Sequence, residues 1–274
     1  MNSVGKTKLL CAALAALVSL GFGKLSQAQL VTADLTGLTP FSGGMLSLDG
    51  HNVDGDGVGQ LSWDGSPYPS NPAPFNSTFN TYCLDLNDSI SVGQTFTFDL
   101  DTDLATAPKP SAGGPMGTNA AREMQALYGE HFNPNGSDDD LQAFQLAVWG
   151  IVYNGFGNVS VTDTSDHFFV ENGIDSNALA LANNWLQQAF VSADTDTGTF
   201  NDNVVALIGQ TIPGTDSSVQ DQVVIGIIPT TSVPEINASG FVSLLLVLCG
   251  AFALLEGADQ TRLLRRRPIA AASH

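Results

Sequence analysis

Two apolar segments, one near each end of the 274-residue chain, limit what can fold in water to the stretch between them. The first, residues 9–22, carries no charge and follows a short basic start. The small residues Ser26 and Ala28 then stand at the positions that a signal peptidase reads, so we expect a secretory signal over residues 1–28, cleaved after Ala28. The apolar run is short for a membrane span, which argues against an N-terminal anchor.

The second segment, residues 236–255, has 20 positions without a charged residue, enough to cross a hydrocarbon core. We expect a transmembrane helix at about residues 237–255. The motif Val233-Pro234-Glu235 precedes the segment. Four basic residues follow it, namely Arg262, Arg265, Arg266 and Arg267. Because arginines flanking a span favour the cytoplasmic side, the pattern predicts that the body of the protein faces outward.

This order of motif, span and basic tail resembles the PEP-CTERM sorting signal, over residues 233–268. Exosortases recognise that signal in bacteria that make extracellular polysaccharide. Its usual motif reads Val-Pro-Glu-Pro, and here Ile236 takes the last place. The resemblance implies an exosortase-like processing enzyme as a partner, a precursor held in the membrane by its C-terminal helix, and a mature protein at the cell surface or in the extracellular matrix. Hydropathy alone is also compatible with an ordinary tail anchor.

The body between the two ends is strongly acidic. Of the 27 acidic residues all but Glu256 and Asp259 lie within residues 29–235, whereas Lys109 and Arg122 are the only lysine and arginine there, which gives a net charge of −23. Such a field repels nucleic acid and anionic polysaccharide or lipid surfaces. We therefore expect no nucleic-acid partner.

Residues 29–232 are long enough for one sizeable core or two small subdomains, and their pattern predicts an α+β fold. The first part reads as strands and turns, with clear period-two alternation at residues 95–100. The segment Asp54-Gly55-Asp56-Gly57 hints at calcium but lacks the further ligands of an EF-hand loop, so a turn is the simpler interpretation, and no metal or cofactor site is predicted. Residues 101–117, rich in proline, glycine and serine, predict a boundary between a β-rich N-terminal subdomain and a helical subdomain.

Three helices and two shorter elements are expected after that boundary, from caps and apolar spacing. Thr118 can cap the first helix. Ser137 starts the second, which has acidic residues in its first turn, and the third is expected at about residues 176–190. A short fourth helix near residues 204–208 and a last strand at residues 222–228 complete the pattern.

On the second of these helices Gln145 falls inside the apolar stripe that includes Leu141, Val148 and Val152. A buried primary amide without partners costs about 1–3 kcal/mol. Something must therefore meet Gln145, either a network of hydrogen bonds or a covalent bond to a thiol.

Cys83 is the thiol available to it, because Cys11 and Cys249 lie in the two end segments. Exported proteins usually pair their cysteines, so a lone one needs an explanation. It can be an inert buried residue, as free cysteines often are. If it faces Gln145, attack of its sulfur on the amide carbon releases ammonia and leaves a thioester.

Two segments, Tyr82-Cys83-Leu84-Asp85 and Gln145-Leu146-Ala147-Val148-Trp149, resemble the motifs of the thioester domains (TQxA type) of Gram-positive surface adhesins. The resemblance spans about residues 75–190. It implies a β-rich and a helical subdomain, an internal thioester between Cys83 and Gln145, shielding of that bond by Tyr82 and Trp149, and acylation of an amine on a surface or matrix partner. Phe144 stands where the family often has Thr, and the spacing of 62 positions from Cys83 to Gln145 is short.

Three functions are therefore compared. The first is a surface-anchored interaction protein that attaches covalently to amines and is no enzyme, since its single acyl group is used once. The second is a passive component of the extracellular matrix with the same fold and an inert cysteine. The third is an extracellular cysteine hydrolase pairing Cys83 with His131 or His167, for which no local motif is present.

Overall fold

The computed structural model describes residues 29–41, 43–108, 114–211 and 219–226. The predicted signal, the sorting motif and the basic tail lie outside the described residues. Those predictions include Ala28, Val233, Pro234, Glu235, Arg262, Arg265, Arg266 and Arg267. Among the residues that the structure describes, no helix combines the length and the apolar character that a membrane crossing needs. The span expected at residues 237–255 is likewise outside them.

The described residues form nine β-strands. In chain order these are β1 (Gln29–Thr39), β2 (Gly43–Leu48), β3 (His51–Asp56), β4 (Gln60–Asp64), β5 (Thr78–Cys83), β6 (Thr95–Asp101), β7 (Phe168–Asn172), β8 (Val204–Gly209) and β9 (Gln222–Ile225). Six of them close an antiparallel barrel in the order β1-β4-β5-β9-β8-β6, and β3-β2-β7 form a separate antiparallel sheet. The segment at residues 54–56, expected to be a turn, is instead the end of strand β3.

Alternation of apolar and polar residues explains the barrel interior. The strand predicted at residues 95–100 is confirmed as β6, and its Phe96 and Phe98 are buried. Both rings meet Trp63 of β4 edge-on, with centroids 6.0 and 5.3 Å away. The Trp63 indole N–H donates to Thr81 Oγ1 at 2.8 Å, so even the polar atom of this large side chain is paired inside the barrel.

The three predicted helices are confirmed as α1 (Thr118–His131), α2 (Asp138–Trp149) and α3 (Ser176–Thr195). Ser137 caps α2 in a capping box with Asp140, as its sequence indicates. The helix continues into one π-helical turn, Gly150–Asn154. The cap predicted for α1 is wrong, since Thr118 is its first helical residue and Gly117 precedes it without a side-chain cap.

The predicted fourth helix near residues 204–208 is also wrong, because that segment is strand β8. A short continuous apolar run fits a fully buried strand as well as a buried helix, and periodicity alone does not separate the two. The last strand is confirmed as β9. Since β8 and β9 close the barrel between β5 and β6, the β-rich part draws on chain from both sides of the helices. The fold is thus mixed α and β, and residues 101–117 do not divide all strands from all helices.

Candidate functional site

Cys83 is the last residue of β5, at one end of the barrel, and only one side of its backbone is occupied by a neighbouring strand. Tyr82 and Cys83 lie opposite residues of β9, and the Leu84 N–H donates to Asp221 O at 2.8 Å. In an antiparallel pair alternate residues bond to alternate sides, so the N–H and C=O of Cys83 point away from β9. Pairing of β5 with β4 ends at Thr81, which leaves the Cys83 backbone open on that side.

The side-chain amide of Gln145, on α2, fills this opening. The Cys83 N–H donates to Gln145 Oε1 at 2.8 Å, and Gln145 Nε2 donates to the Cys83 carbonyl at 2.9 Å. Gln145 is 1 % exposed and Cys83 is 4 % exposed. The amide thus pairs with the end of the barrel as a short piece of strand would. The structure brings together the two residues that the sequence motifs singled out, 62 positions apart in the chain.

The thiol of Cys83 is free and buried, and it donates to the Asp85 carbonyl at 2.7 Å. Burial raises the pKa of this thiol well above its usual value, and the nearby Asp85 carboxylate raises it further. The hydrogen bond to the Asp85 carbonyl and the indole of Trp149 act in the opposite direction on the pKa. In this state the sulfur is therefore held as a thiol, which is a weaker nucleophile than a thiolate.

Polar groups that had no role assigned from the sequence surround the thiol. Burial raises the pKa of the Asp85 carboxyl, and burial raises the pKa of Asp221 to about 6, with contributions from its acidic neighbours. The Tyr153 hydroxyl accepts the Leu86 N–H at 2.7 Å and lies 3.4 Å from Asp85 Oδ1. Gln220 Nε2 donates to the Asp85 carbonyl at 2.7 Å. These contacts fix the chain immediately after Cys83.

Of these residues, the sequence pointed only to Asp85, which belongs to the motif around Cys83 and was given no role. Tyr153 lies in the π-helical turn, where its side-chain direction cannot be read from a regular helical period. Gln220 and Asp221 approach from a distant part of the chain, which only the closure of the barrel brings to Cys83.

The two residues predicted to shield the site have different positions. Successive side chains of a strand point to opposite faces, so Tyr82 is directed away from the Cys83 side chain. Its ring packs on Phe144 with centroids 4.5 Å apart, and its hydroxyl accepts a hydrogen bond from Gln60 at 3.2 Å. Trp149 is 3 % exposed and lies one helical turn after Gln145. The shielding roles of both residues stay predictions.

The histidines considered for a hydrolase contact other groups. His131 stacks on Trp185 with centroids 5.0 Å apart and lies beside Glu130. His167 Nδ1 is 2.7 Å from Asp49 Oδ1. Within the described part of the chain, neither histidine makes a hydrogen bond to Cys83, and no group of three or more metal-ligating side chains is present.

Comparisons with models of known protein families, with curated proteins and with solved structures found no match to this chain.

Proposed function

We propose that this is an exported, surface-anchored interaction protein that attaches covalently to amine groups through an internal thioester between Cys83 and Gln145. The observation that carries the proposal is the pair of hydrogen bonds, at 2.8 and 2.9 Å, that hold the Gln145 amide on the Cys83 peptide in a buried site. Two residues so far apart in sequence are thereby kept close together, which is the main requirement of an intramolecular acyl transfer.

The same two hydrogen bonds suit the chemistry of thioester formation. Sulfur attacks the Gln145 Cδ atom, the C–N bond breaks, and the thiol proton leaves with the amide nitrogen as ammonia. Negative charge develops on Oε1 during the attack, and the Cys83 N–H is already 2.8 Å from that atom. A fixed donor at that distance stabilises such an oxyanion. The Cys83 carbonyl meanwhile holds the nitrogen that leaves.

Transfer to a partner follows the reverse path with a different nitrogen. An amine attacks Cδ, an amide forms, and the Cys83 thiol is regenerated. Because ammonia departs from beside the Cys83 carbonyl, the incoming amine has the same acceptor for its N–H. The acyl group is used once, so we expect no turnover and assign no enzymatic activity.

The remaining sequence features support the same function. The signal over residues 1–28 and the PEP-CTERM-like segment over residues 233–268 would export the protein and present it to an exosortase-like enzyme, with the membrane helix at about 237–255 holding the precursor. The body has Lys109 as its only lysine, which limits reaction of the acyl group with its own chain. Its partner is an amine-bearing component of a surface or matrix, and its negative charge disfavours nucleic acid.

The experiment is an intact-mass measurement of the full chain beside Cys83→Ala and Gln145→Ala. We expect the wild-type mass to be short by one ammonia, both variants to have full mass, and methylamine to add to the wild type alone. A wild-type chain of full mass, with Cys83 open to alkylation after unfolding, would remove the thioester.

One observation favours a second function, that of a passive matrix protein with an inert cysteine. The Gln145 amide already satisfies both polar groups of the Cys83 backbone, and the thiol has the Asp85 carbonyl as its acceptor. Cys83 and Gln145 are therefore paired without a covalent bond, and the full-mass outcome would select this function. A cysteine hydrolase has no comparable support, given the contacts of His131 and His167.

A further inference from the structure

Trp149 carries a polar atom whose position a purely protective role does not explain. The residue lies four positions after Gln145 on α2, so the two side chains share one face of the helix. Its ring packs edge-on against Phe168 with centroids 5.9 Å apart. Its indole nitrogen is buried and has no hydrogen-bond partner among the described residues. An unpaired buried donor costs about 1–3 kcal/mol, a cost that a phenylalanine in the same place would avoid.

The helix places Trp149 one turn after Gln145, whose amide is hydrogen-bonded to Cys83. The indole also lowers the pKa of the Cys83 thiol, against the larger opposite effect of burial. The N–H makes no hydrogen bond in this state, in which the sulfur keeps its proton and donates to the Asp85 carbonyl at 2.7 Å. A neutral thiol is a weak acceptor, whereas hydrogen bonds to an ionised group are shorter and about twice as strong. The donor is therefore suited to a sulfur that carries charge.

We propose that the Trp149 indole N–H stabilises the negative charge on the Cys83 sulfur as that sulfur leaves the Gln145 carbonyl during transfer to an amine. This inference rests on the proposed thioester. As the amine nitrogen forms its bond to Cδ, the C–S bond breaks and its electron pair passes to sulfur. A proton of the amine then passes to the thiolate, which gives the thiol and an amide.

The surroundings of the sulfur make such a donor effective. The Asp85 carboxylate opposes negative charge at this position, and so does burial. A fixed N–H in a buried site opposes that effect at the moment when charge develops. The Cys83 N–H serves Oε1, the other atom that becomes negative. The two donors thus act on the two atoms that gain negative charge during the transfer.

The test replaces the indole of Trp149 by benzothiophene, which keeps the bicyclic shape and lacks the N–H. The full chain carrying the thioester is mixed with methylamine, and the gain in mass is followed over time. We expect the rate of methylamine addition to fall at least about tenfold. The loss of one donor to a developing charge usually lowers a rate by about 100-fold or more, so tenfold is a cautious threshold. A cover without a donor role predicts an unchanged rate for benzothiophene and a faster rate for Trp149→Phe, whose smaller ring opens the site; either result overturns the inference.

Trp185→Phe is the control matched to Trp149→Phe, since it removes the same atoms from an indole that stacks on His131. Its rate should equal that of the wild type. A benzothiophene chain that folds but never acquires the thioester also counts against the inference, because a donor to the leaving sulfur changes rates and not completion. A wild-type chain without the missing ammonia would instead remove the proposed function, so the two failures are distinguishable.

Discussion

The barrel interior and the helical side of the molecule treat buried polar groups differently. Inside the barrel the Trp63 indole donates to Thr81 Oγ1 at 2.8 Å, and the Thr81 hydroxyl donates to Gln222 Oε1 at 2.9 Å. Every member of this chain of hydrogen bonds is paired. The described buried side-chain atoms that lack a hydrogen-bond partner lie instead on the helices or the loop before β7, namely in Glu123, His131, Trp149 and Asp166.

The difference separates a part of the fold in which paired polar groups stabilise the structure from a part in which unpaired buried groups can have a chemical role. A closed barrel excludes water from the polar side chains inside it, so each one needs a partner within the protein. A buried polar group without a partner destabilises the fold and calls for another explanation, such as a chemical role. Trp149, next to Cys83 and Gln145, fits that description.

The largest effect is expected from Thr81→Val, which keeps the shape of a side chain that is fully buried. It leaves the Trp63 N–H and Gln222 Oε1 without partners. At about 1–3 kcal/mol for each unsatisfied group, the free energy of unfolding should fall by about 4 kcal/mol. Urea unfolding measures it. Thr36→Val is the control, because that hydroxyl bonds the Ser62 carbonyl at an exposed position. Equal losses in both variants would contradict the comparison.

An intermediate effect is expected from Glu123→Gln on α1. Glu123 is 0 % exposed, its Oε1 has no partner among the described residues, and burial raises its pKa to about 8. The folded state therefore keeps a proton that the unfolded state loses at its ordinary pKa of about 4.3, and the wild type loses stability as pH rises from about 4.3 to 8. Above that range the loss is complete.

The glutamine side chain of the Glu123→Gln variant has no such titration. The variant should match the wild type near pH 4 and exceed its free energy of unfolding by about 3 kcal/mol near pH 6.5. Urea unfolding at both pH values checks this. A difference that does not change with pH would show that Glu123 is ionised in the folded protein or has a partner there.

The sequence predicted the helices better than it predicted the barrel. Local signals were sufficient for the helices, since Ser137 and the acidic first turn of α2 act within a few residues. The burial of Gln145 could be predicted as well, because helical periodicity places it in the apolar stripe. Strand β8 could not, because its continuous apolar run is buried by partners that the barrel brings from distant segments.

The candidate site was predictable to the same extent. The motifs and the lone thiol pointed to Cys83 and Gln145, and the structure brings them into contact. The open backbone edge that the Gln145 amide fills was not predictable, because it depends on where pairing with β4 ends. The environment of the sulfur was not predictable either, since Tyr153 and Asp221 reach it through tertiary contacts alone.

The smallest effect is expected from Asp221, at the end of the barrel. It tests whether the polar groups of the candidate site are paired, as inside the barrel, or left without a partner, as on the helices. Its Oδ1 accepts the Gly209 N–H at 2.8 Å, yet burial and the neighbouring acids raise its pKa to about 6. The folded state therefore binds a proton more tightly than the unfolded state, so wild-type stability falls as pH rises from about 3.9 to 6.

Asp221→Asn keeps an oxygen for the Gly209 N–H and removes the charge. We expect it to raise the free energy of unfolding by about 1.5 kcal/mol near pH 5 and by almost nothing near pH 3, measured by urea unfolding. Asp64→Asn is the control of opposite sign, because hydrogen bonds from Ser66 lower the pKa of that exposed carboxyl. If Asp221→Asn destabilised the protein at both pH values, the Asp221 carboxylate would be fully paired. The candidate site around Cys83 would then belong with the barrel interior and not with the helical side.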